Sequence, residues 1–148
     1  MSAEEKVAVQ EAQLMEYIAQ ADGWGAEIVD QVPAAEIALL SDTVGGARQE
    51  SDYNVEWPKY YYFGQTIVLH AEGPRTPTEV ANDLEPWLRD QGWERNTASE
   101  FPPGDDRFTR EYYREGYRLT VEVYTEAPPR AQSINLTIVT PHTDPDRL

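Results

Sequence analysis

The segment "YYREGYRLTVEVY", residues 112–124, constrains the fold more than any other part of this sequence. Two runs of alternating side chains flank the pair Glu115-Gly116, and a short pair of this kind between alternating runs is typical of a two-residue β-hairpin turn. Alternation also gives the second run one apolar face, made of Tyr117, Leu119, Val121 and Val123. The segment therefore predicts an antiparallel sheet with one buried face and one face open to solvent.

Further strands are predicted along the chain. With the two strands of the hairpin included, the predicted strands lie at residues 26–32, 35–41, 60–71, 93–97, 108–113, 117–125 and 133–140. We expect a sheet of about five to six strands. The glycine-rich, polar stretch 45–54 is predicted to be a loop.

Two capping boxes predict two helices. Ser2 with Glu5 opens the first at about residue 3, and Thr76 with Glu79 opens the second. An apolar stripe follows the first box, and we expect that helix to end near residue 21, because glycines at 23 and 25 would terminate it. The second helix is predicted over residues 76–91, with Gly92 as a left-handed cap.

These elements predict an α+β fold, in which an antiparallel sheet has two helices packed on one face. A length of 148 residues fits one domain. We therefore expect a single domain over residues 1–148, with residues 142–148 forming a loose tail.

The charge of the chain bears on its partners. The formal net charge is −15 at pH 7, and residues 1–74 contain 13 acidic but only 3 basic side chains. Binding to phosphate backbones or to anionic lipid requires Lys and Arg, so we expect no nucleic-acid partner. No run approaches the roughly 20 apolar residues of a membrane span, which predicts no direct membrane insertion. A basic protein partner is compatible with this charge.

Motifs for catalysis and cofactor binding are missing from the sequence. There are no cysteines, and no phosphate loop, dinucleotide fingerprint, zinc-protease motif or nucleophile elbow occurs. His70 and His142 lack the spacing of a metal-binding pair. We predict a protein that is not an enzyme and has no cofactor or metal. The enzymatic alternative is a carboxylate-driven hydrolase, which would need a cleft with an acidic residue of perturbed pKa.

Four consecutive aromatic residues at 60–63 raise the question of whether they form a core or a binding surface. Tyr61 and Phe63 share the apolar face of their strand, and we expect them to pack under the helix at 76–91. Tyrosines on the opposite face stabilise a sheet by cross-strand packing, or they bind an apolar or sugar ligand. The predicted ligand-binding residues on that face are Tyr60, Tyr62, Tyr124 and Arg118.

Several segments, taken in order, are similar to those of uncharacterised small lipoproteins of actinobacteria: "ALLSD", "YFGQTIVL", "LRDQGW", "EGYRLTVEVYTE" and "INLTIVTPH". The resemblance covers nearly the whole chain and implies a location at the cell envelope. In that group a cysteine often follows "LLS" and another closes the "TP" strand end. Here these positions hold Asp42 and His142, and the resemblance implies an ion pair between them.

The location depends on the N-terminus. Met1 is followed by Glu4 and Glu5 rather than by the basic start and apolar stretch of a signal peptide. A native Met1 predicts a cytoplasmic protein, and a Met1 that replaces a trimmed lipoprotein signal predicts a protein of the cell envelope.

The function that these patterns favour is that of a non-enzymatic, acidic interaction or ligand-binding domain of lipoprotein type. The alternative is an inhibitor, an immunity-type protein or a nucleic-acid mimic that binds a basic partner. In that case the binding residues are predicted to be Glu50, Asp52 and Glu56, in the acidic first half of the chain.

Overall fold

The computed structural model describes residues 1–50, 55–104, 107–127, 130 and 132–147. This part of the chain contains two α-helices, α1 (Ala3–Asp30) and α2 (Pro77–Asp90). Its strands are β1 (Ile37–Leu40), β2 (Val44–Gln49), β3 (Lys59–Leu69), β4 (Glu94–Arg95), β5 (Arg107–Arg114), β6 (Tyr117–Thr125) and β7 (Gln132–Val139).

The strands form one antiparallel sheet in the order β1-β3-β7-β6-β5-β4, and β2 pairs with β3 on the same side as β1. Strand β7 follows the others in the chain but lies in the middle of the sheet, between β3 and β6. The predicted α+β class is confirmed. The sheet has seven strands within the described residues, more than the five to six predicted.

Both helices pack on the inner face of the sheet, as predicted. Helix α1 contacts β3 and β7, and α2 contacts mainly β6. One hydrophobic cluster joins residues of both helices to the central strands. The apolar inner side chains of β6 and β7 are at most 1% exposed, apart from Tyr117 at the turn: Leu119, Val121, Val123, Ile134, Leu136 and Ile138.

Helix α1 begins where the sequence predicts but ends later. The Ser2 hydroxyl accepts a hydrogen bond from the backbone N–H of Glu5 at 3.1 Å, and the helix then continues through residues 23 and 25 to Asp30. The prediction of an end near residue 21 is wrong, and so is the predicted strand at 26–32. The buried stripe in fact continues through Trp24, between the two glycines, to Ile28 beyond them.

Gly25 lies inside α1 because its position leaves no room for a side chain. A Cβ at Gly25 would be 2.4 Å from ring atoms of Phe63. The close approach of the helix to β3 outweighs the poor helix propensity of glycine, which is worth about 1 kcal/mol.

Two strand predictions at the β1 edge also need correction. Residues 34–36 form a 3₁₀ turn, so the strand predicted at 35–41 is reduced to β1. The loop predicted at 45–54 is largely strand β2; residues 51–54 lie outside the described part of the chain. Tyrosine rings of β3 lie over the glycines of β2, since a Cβ at Gly46 would be 3.1 Å from the ring of Tyr62. Aromatic side chains that cover glycines are a known way to stabilise such a strand.

The aromatic run divides between the two faces of β3 as predicted, but its inner side chains meet a different helix. Phe63 packs against Gly25 of α1, and the Tyr61 hydroxyl donates to the carboxylate of Asp22, also in α1, at 2.7 Å. Burial, together with this hydrogen bond, raises the pKa of Tyr61 to about 12. The prediction that both pack under α2 is wrong.

The second helix and the hairpin turn confirm their predictions. Thr76 and Glu79 form both hydrogen bonds of a capping box, and Gly92 has a φ of 99°. At the turn, Glu115 and Gly116 have φ values of 49° and 83°. Positive φ at both central residues is characteristic of the type I′ turn that suits the twist of a hairpin.

The C-terminal segment is attached to α1 in the described residues, which contradicts the predicted loose tail at 142–148. Thr143 is 2% exposed, and its hydroxyl bonds to the Gln10 side chain at 2.9 Å. The Gln13 amide donates to the carbonyls of Asp144 and Arg147, each at 2.9 Å. These contacts tie residues 143–147 to the first three turns of the helix.

Candidate functional site

The outer face of the sheet, opposite the helices, carries the four side chains predicted to bind a ligand. They are divided among three depressions that the described residues line. Tyr124 lines a cavity of about 550 Å³. Tyr60 and Arg118 line a second depression of about 530 Å³, and Tyr62 lines a third of about 330 Å³.

We call the first of these depressions, which Tyr124 lines, the β5–β6 cavity. Its floor is the outer face of β5 and β6, and the loop 101–104 forms a wall. The lining residues are Phe101, Pro102, Gly104, Arg107, Phe108, Thr109, Glu111, Thr120, Glu122 and Tyr124. Phe101 is 76% exposed, so an apolar ring stands at the rim of a cavity whose floor is polar.

The loop that forms the wall is held along the edge of β5. The Glu100 carboxylate accepts two hydrogen bonds from Arg95, both at 2.9 Å, and one from the backbone N–H of Glu111 at 3.0 Å. Further along, the N–H of Gly104 donates to the carbonyl of Arg107 at 2.9 Å. Burial raises the pKa of Glu100, but these hydrogen bonds outweigh it, and the pKa is lowered overall.

Glu111 is the most deeply buried carboxylate of the cavity, at 9% exposure. Both of its oxygens accept from the Thr120 hydroxyl, at 2.8 and 3.0 Å. Burial raises the pKa of Glu111, and the charges of Glu100 and Glu122 add to the increase, while Thr120 and Arg118 oppose it. No described Lys or Arg lies within 4 Å of its carboxylate.

Glu122 and Tyr124 form the second polar group of the cavity. The Tyr124 hydroxyl donates to Glu122 at 2.8 Å, and this hydrogen bond raises the pKa of the tyrosine. Across the strands, Glu111 is paired with Thr120, so Glu111 and Glu122 occupy diagonal positions. The backbone positions of such a pair lie roughly 7 to 8 Å apart, and their side chains can come closer. The Thr109 hydroxyl is buried and has no hydrogen-bond partner among the described residues.

The second depression, which we call the His142 pocket, lies where β7 ends. The His142 ring stacks on Tyr60 with 5.0 Å between centroids, and its Nδ1 lies 3.2 Å from the Glu50 carboxylate. The predicted ion pair between Asp42 and His142 is therefore wrong. Asp42 follows Ser41, which hydrogen-bonds to Thr66, six residues along β3 from Tyr60 and so about 20 Å away.

Two of the predicted partner-binding carboxylates already have partners within the chain. Glu50 lies against His142, as described above, and Glu56 lies 3.4 Å from the ammonium of Lys59. Asp52, the third, lies outside the described residues. Of these contacts, the one between Glu56 and Lys59 partly neutralises the acidic patch predicted from the sequence.

Tyr62 makes contacts in the sheet rather than with the other predicted residues. Its ring lies 5.3 Å from the guanidinium carbon of Arg48, which also approaches its hydroxyl at 3.4 Å. A cation over an aromatic face contributes roughly 0.5 to 1 kcal/mol at exposed sites. This pairing is a structural reason for Tyr62 that requires no ligand.

Sequence reasoning missed most of the β5–β6 cavity. Glu111, Thr109 and Phe101 were not predicted to bind a ligand, although alternation in β5 puts the first two on the same face as Tyr124. What the sequence lacks is a signal for burial: a glutamate in an alternating strand is normally a solvent-exposed residue.

No three or more His, Asp or Glu side chains of the described residues are grouped so as to hold a metal ion. No described helix is both long and apolar enough to cross a membrane. Comparison with known proteins does not identify a family for this chain, and the lipoprotein resemblance stays a prediction. No protein-family model, curated protein or solved structure matches the chain.

Proposed function

We propose that this chain is a non-enzymatic binding domain that takes a small organic ligand in the β5–β6 cavity. The observation that carries the proposal is a cavity of about 550 Å³ with an apolar wall and a few buried polar groups. Small-molecule sites are typically concavities of about 300 to 1,000 Å³ with that composition. The helices fill the inner face, which leaves the outer face free for this role.

The basic-partner alternative has less support. Glu50 and Glu56, through which it would act, contact His142 and Lys59. Exposed ion pairs contribute little energy and are easily broken, but the pair of Glu56 and Lys59 reduces the negative potential that a basic partner would meet.

A carboxylate-driven hydrolase is the second candidate. The supporting observation is the diagonal pair Glu111 and Glu122 in one cavity, with the pKa of Glu111 raised by burial. Hydrolases with two carboxylates use one of raised pKa as the general acid. Turnover of a nitrophenyl glycoside or ester that is abolished by Glu111→Gln would favour this candidate over a binding domain.

The binding proposal is tested with a panel of small compounds that includes sugars, aromatic amines, aromatic alcohols and aromatic acids. Thermal unfolding detects binding, because a ligand of the native state raises Tm. Amide chemical shifts then locate it, and we expect them to change in β5, β6 and residues 101–104.

Phe101→Ala and Met15→Ala form a matched pair for this test. Both side chains are exposed, at 76% and 72%, so neither substitution should affect folding, but only Phe101 lines the cavity. We expect Phe101→Ala to weaken binding about fivefold, since an aromatic contact is worth roughly 1 kcal/mol, and Met15→Ala to have no effect. A panel without any binder, or binders that shift only residues elsewhere, would overturn the proposal.

A further inference from the structure

We infer that the ligand of the β5–β6 cavity is an organic cation, with an ammonium or guanidinium group joined to an apolar body. The inference rests on the proposed function and specifies the chemical class of its ligand. It follows from how the chain neutralises buried carboxylates elsewhere, from the positions of Glu111 and Glu122, and from the apolar wall beside them.

The described residues contain two buried acidic side chains, Glu36 at 7% and Glu111 at 9% exposure. Glu36 is neutralised by Arg75, whose guanidinium donates to both carboxylate oxygens at 2.7 and 2.8 Å. Glu111 has a hydroxyl donor, Thr120, but no Lys or Arg within 4 Å among the described residues. Buried charges in proteins are normally paired, so the cavity beside Glu111 is where a cation from outside the chain would be stabilised.

The geometry of the cavity suits a single cationic head group. Glu111 and Glu122 occupy diagonal positions, roughly 7 to 8 Å apart. Long side chains at diagonal positions are within reach of each other, so one ammonium or guanidinium group placed between Glu111 and Glu122 can donate charge-assisted hydrogen bonds to both carboxylates. The buried Thr109 hydroxyl, which has no partner among the described residues, is available as a third acceptor.

Aromatic groups next to these carboxylates favour an organic cation over a metal ion. Phe101 forms the exposed wall, and Tyr124 is held in place by its hydrogen bond to Glu122. Aromatic faces attract ammonium and guanidinium groups and pack against apolar bodies. A metal ion would require several oxygen ligands around one point, and the described residues provide no such group.

Arg107 and Arg118 are the cationic residues that would favour an anion instead. Arg107 lines the cavity, and the charge of Arg118 lowers the pKa of Glu111. Both side chains are exposed, and an exposed guanidinium is already solvated by water. The opposite ligand charge is therefore one outcome of the test rather than a second proposal.

The test uses three probes that share a phenylethyl or benzyl body and differ in charge: phenethylamine, 2-phenylethanol and phenylacetate. Their dissociation constants are measured by amide chemical-shift titration of the full chain at pH 7. We expect the amine to bind about tenfold more tightly than the alcohol, because hydrogen bonds to charged groups are stronger than neutral ones. Phenylacetate should bind most weakly.

Charge-removing variants assign this preference to the cavity. Glu111→Gln and Glu122→Gln should each reduce the affinity for the amine about tenfold while leaving the affinity for the alcohol unchanged. Glu27→Gln, which removes the same charge from the exposed surface of α1, is the matched control and should change neither affinity.

The outcomes separate the two proposals. Equal binding of all three probes in the cavity, or tighter binding of phenylacetate, would overturn the cation inference and leave the binding function standing. Loss of amine affinity in Glu27→Gln equal to that in Glu111→Gln would overturn it as well, because the preference would then come from net charge. If the amine does not bind but another compound of the wider panel does, the inference alone fails. If no compound binds, both proposals fail.

Discussion

On the inner face of β7, Ile134, Leu136 and Ile138 are at most 1% exposed, whereas the residues that alternate with them on the outer face remain partly exposed. The two faces belong to one strand and share its backbone hydrogen bonds. The inner face therefore contributes mainly to stability through burial. The outer face carries the depressions and is free to vary in side-chain chemistry.

The largest test of this comparison replaces one residue on each face of β7. Leu136→Ala should destabilise the protein by about 2 to 5 kcal/mol, because it removes buried methyl groups and leaves a cavity. Thr137→Ala, at the adjacent outer position, should change stability by less than about 0.5 kcal/mol. Urea unfolding followed by tryptophan fluorescence measures both. Similar losses in the two variants would show that the outer face is also needed for stability.

The two glycines of α1 offer the same comparison between a packed and an open position of one element. Gly25→Ala should destabilise by about 1 to 3 kcal/mol, since the new methyl group would overlap the ring of Phe63. Gly23→Ala meets no atom within 4 Å, and alanine should stabilise the helix there by about 1 kcal/mol. Opposite signs in thermal unfolding are the expected result. A gain of stability in both variants would mean that the contact between α1 and β3 is looser than described.

The two buried carboxylates, Glu36 and Glu111, allow a comparison between a charge that is paired within the described residues and one that is not. Glu36 is the paired one. Hydrogen bonds from Arg75 hold the pKa of Glu36 below its usual value. The ionised Glu36 carboxylate therefore stabilises the folded state above the unfolded-state pKa of about 4.3. This stabilisation is lost as the pH falls through the lower pKa of the folded state. Glu36→Gln should destabilise by about 1 to 3 kcal/mol at pH 7. Urea unfolding from pH 7 to pH 2.5 should show this difference shrinking, and a constant difference would contradict the assignment.

Glu111 should show the smallest effect, and with the opposite sign. Burial raises its pKa, so the folded state binds a proton more tightly than the unfolded state does. The free energy of unfolding then decreases as the pH rises from the pKa that Glu111 has in the unfolded state through its higher pKa in the folded state. Glu111→Gln should remove this loss and be slightly more stable than the native chain at pH 7. A variant that is less stable at pH 7 and recovers at low pH would show that Glu111 is paired like Glu36.

The sheet could be predicted from the sequence because each outward residue of the hairpin alternates with an inward one. Leu119, Val121 and Val123 are buried as their spacing predicts. Local signals failed where a tertiary contact decided the structure. Gly25 locally predicts a helix end, but its actual role is to make room for Phe63. The glycines of β2 locally predict a loop, but the tyrosines of β3 cover them.

The candidate site could be predicted only in part, for the same reason. Tyr124 and the face that carries it follow from alternation, but the cavity also depends on residues 101–104, which hydrogen bonds from Arg95 and to β5 hold in place. No sequence pattern reports such loop placement. Nor does spacing distinguish Glu111, which has no cation within reach in the described residues, from Glu36, whose cation is 39 residues away in the chain.

The central place of β7 has a consequence for the order of events during translation. When α1, β3 and α2 have left the ribosome, β3 can pair with β1 and β2 on one edge but still lacks β7 on the other, and α1 lacks its hydrogen bonds to residues 143–147. Domains otherwise tend to fold as the chain emerges, from the N-terminus onward. Here the central pairing of the sheet forms only after residues 132–139 are synthesised, so the edges of β3 and β6 that β7 joins stay unpaired until then.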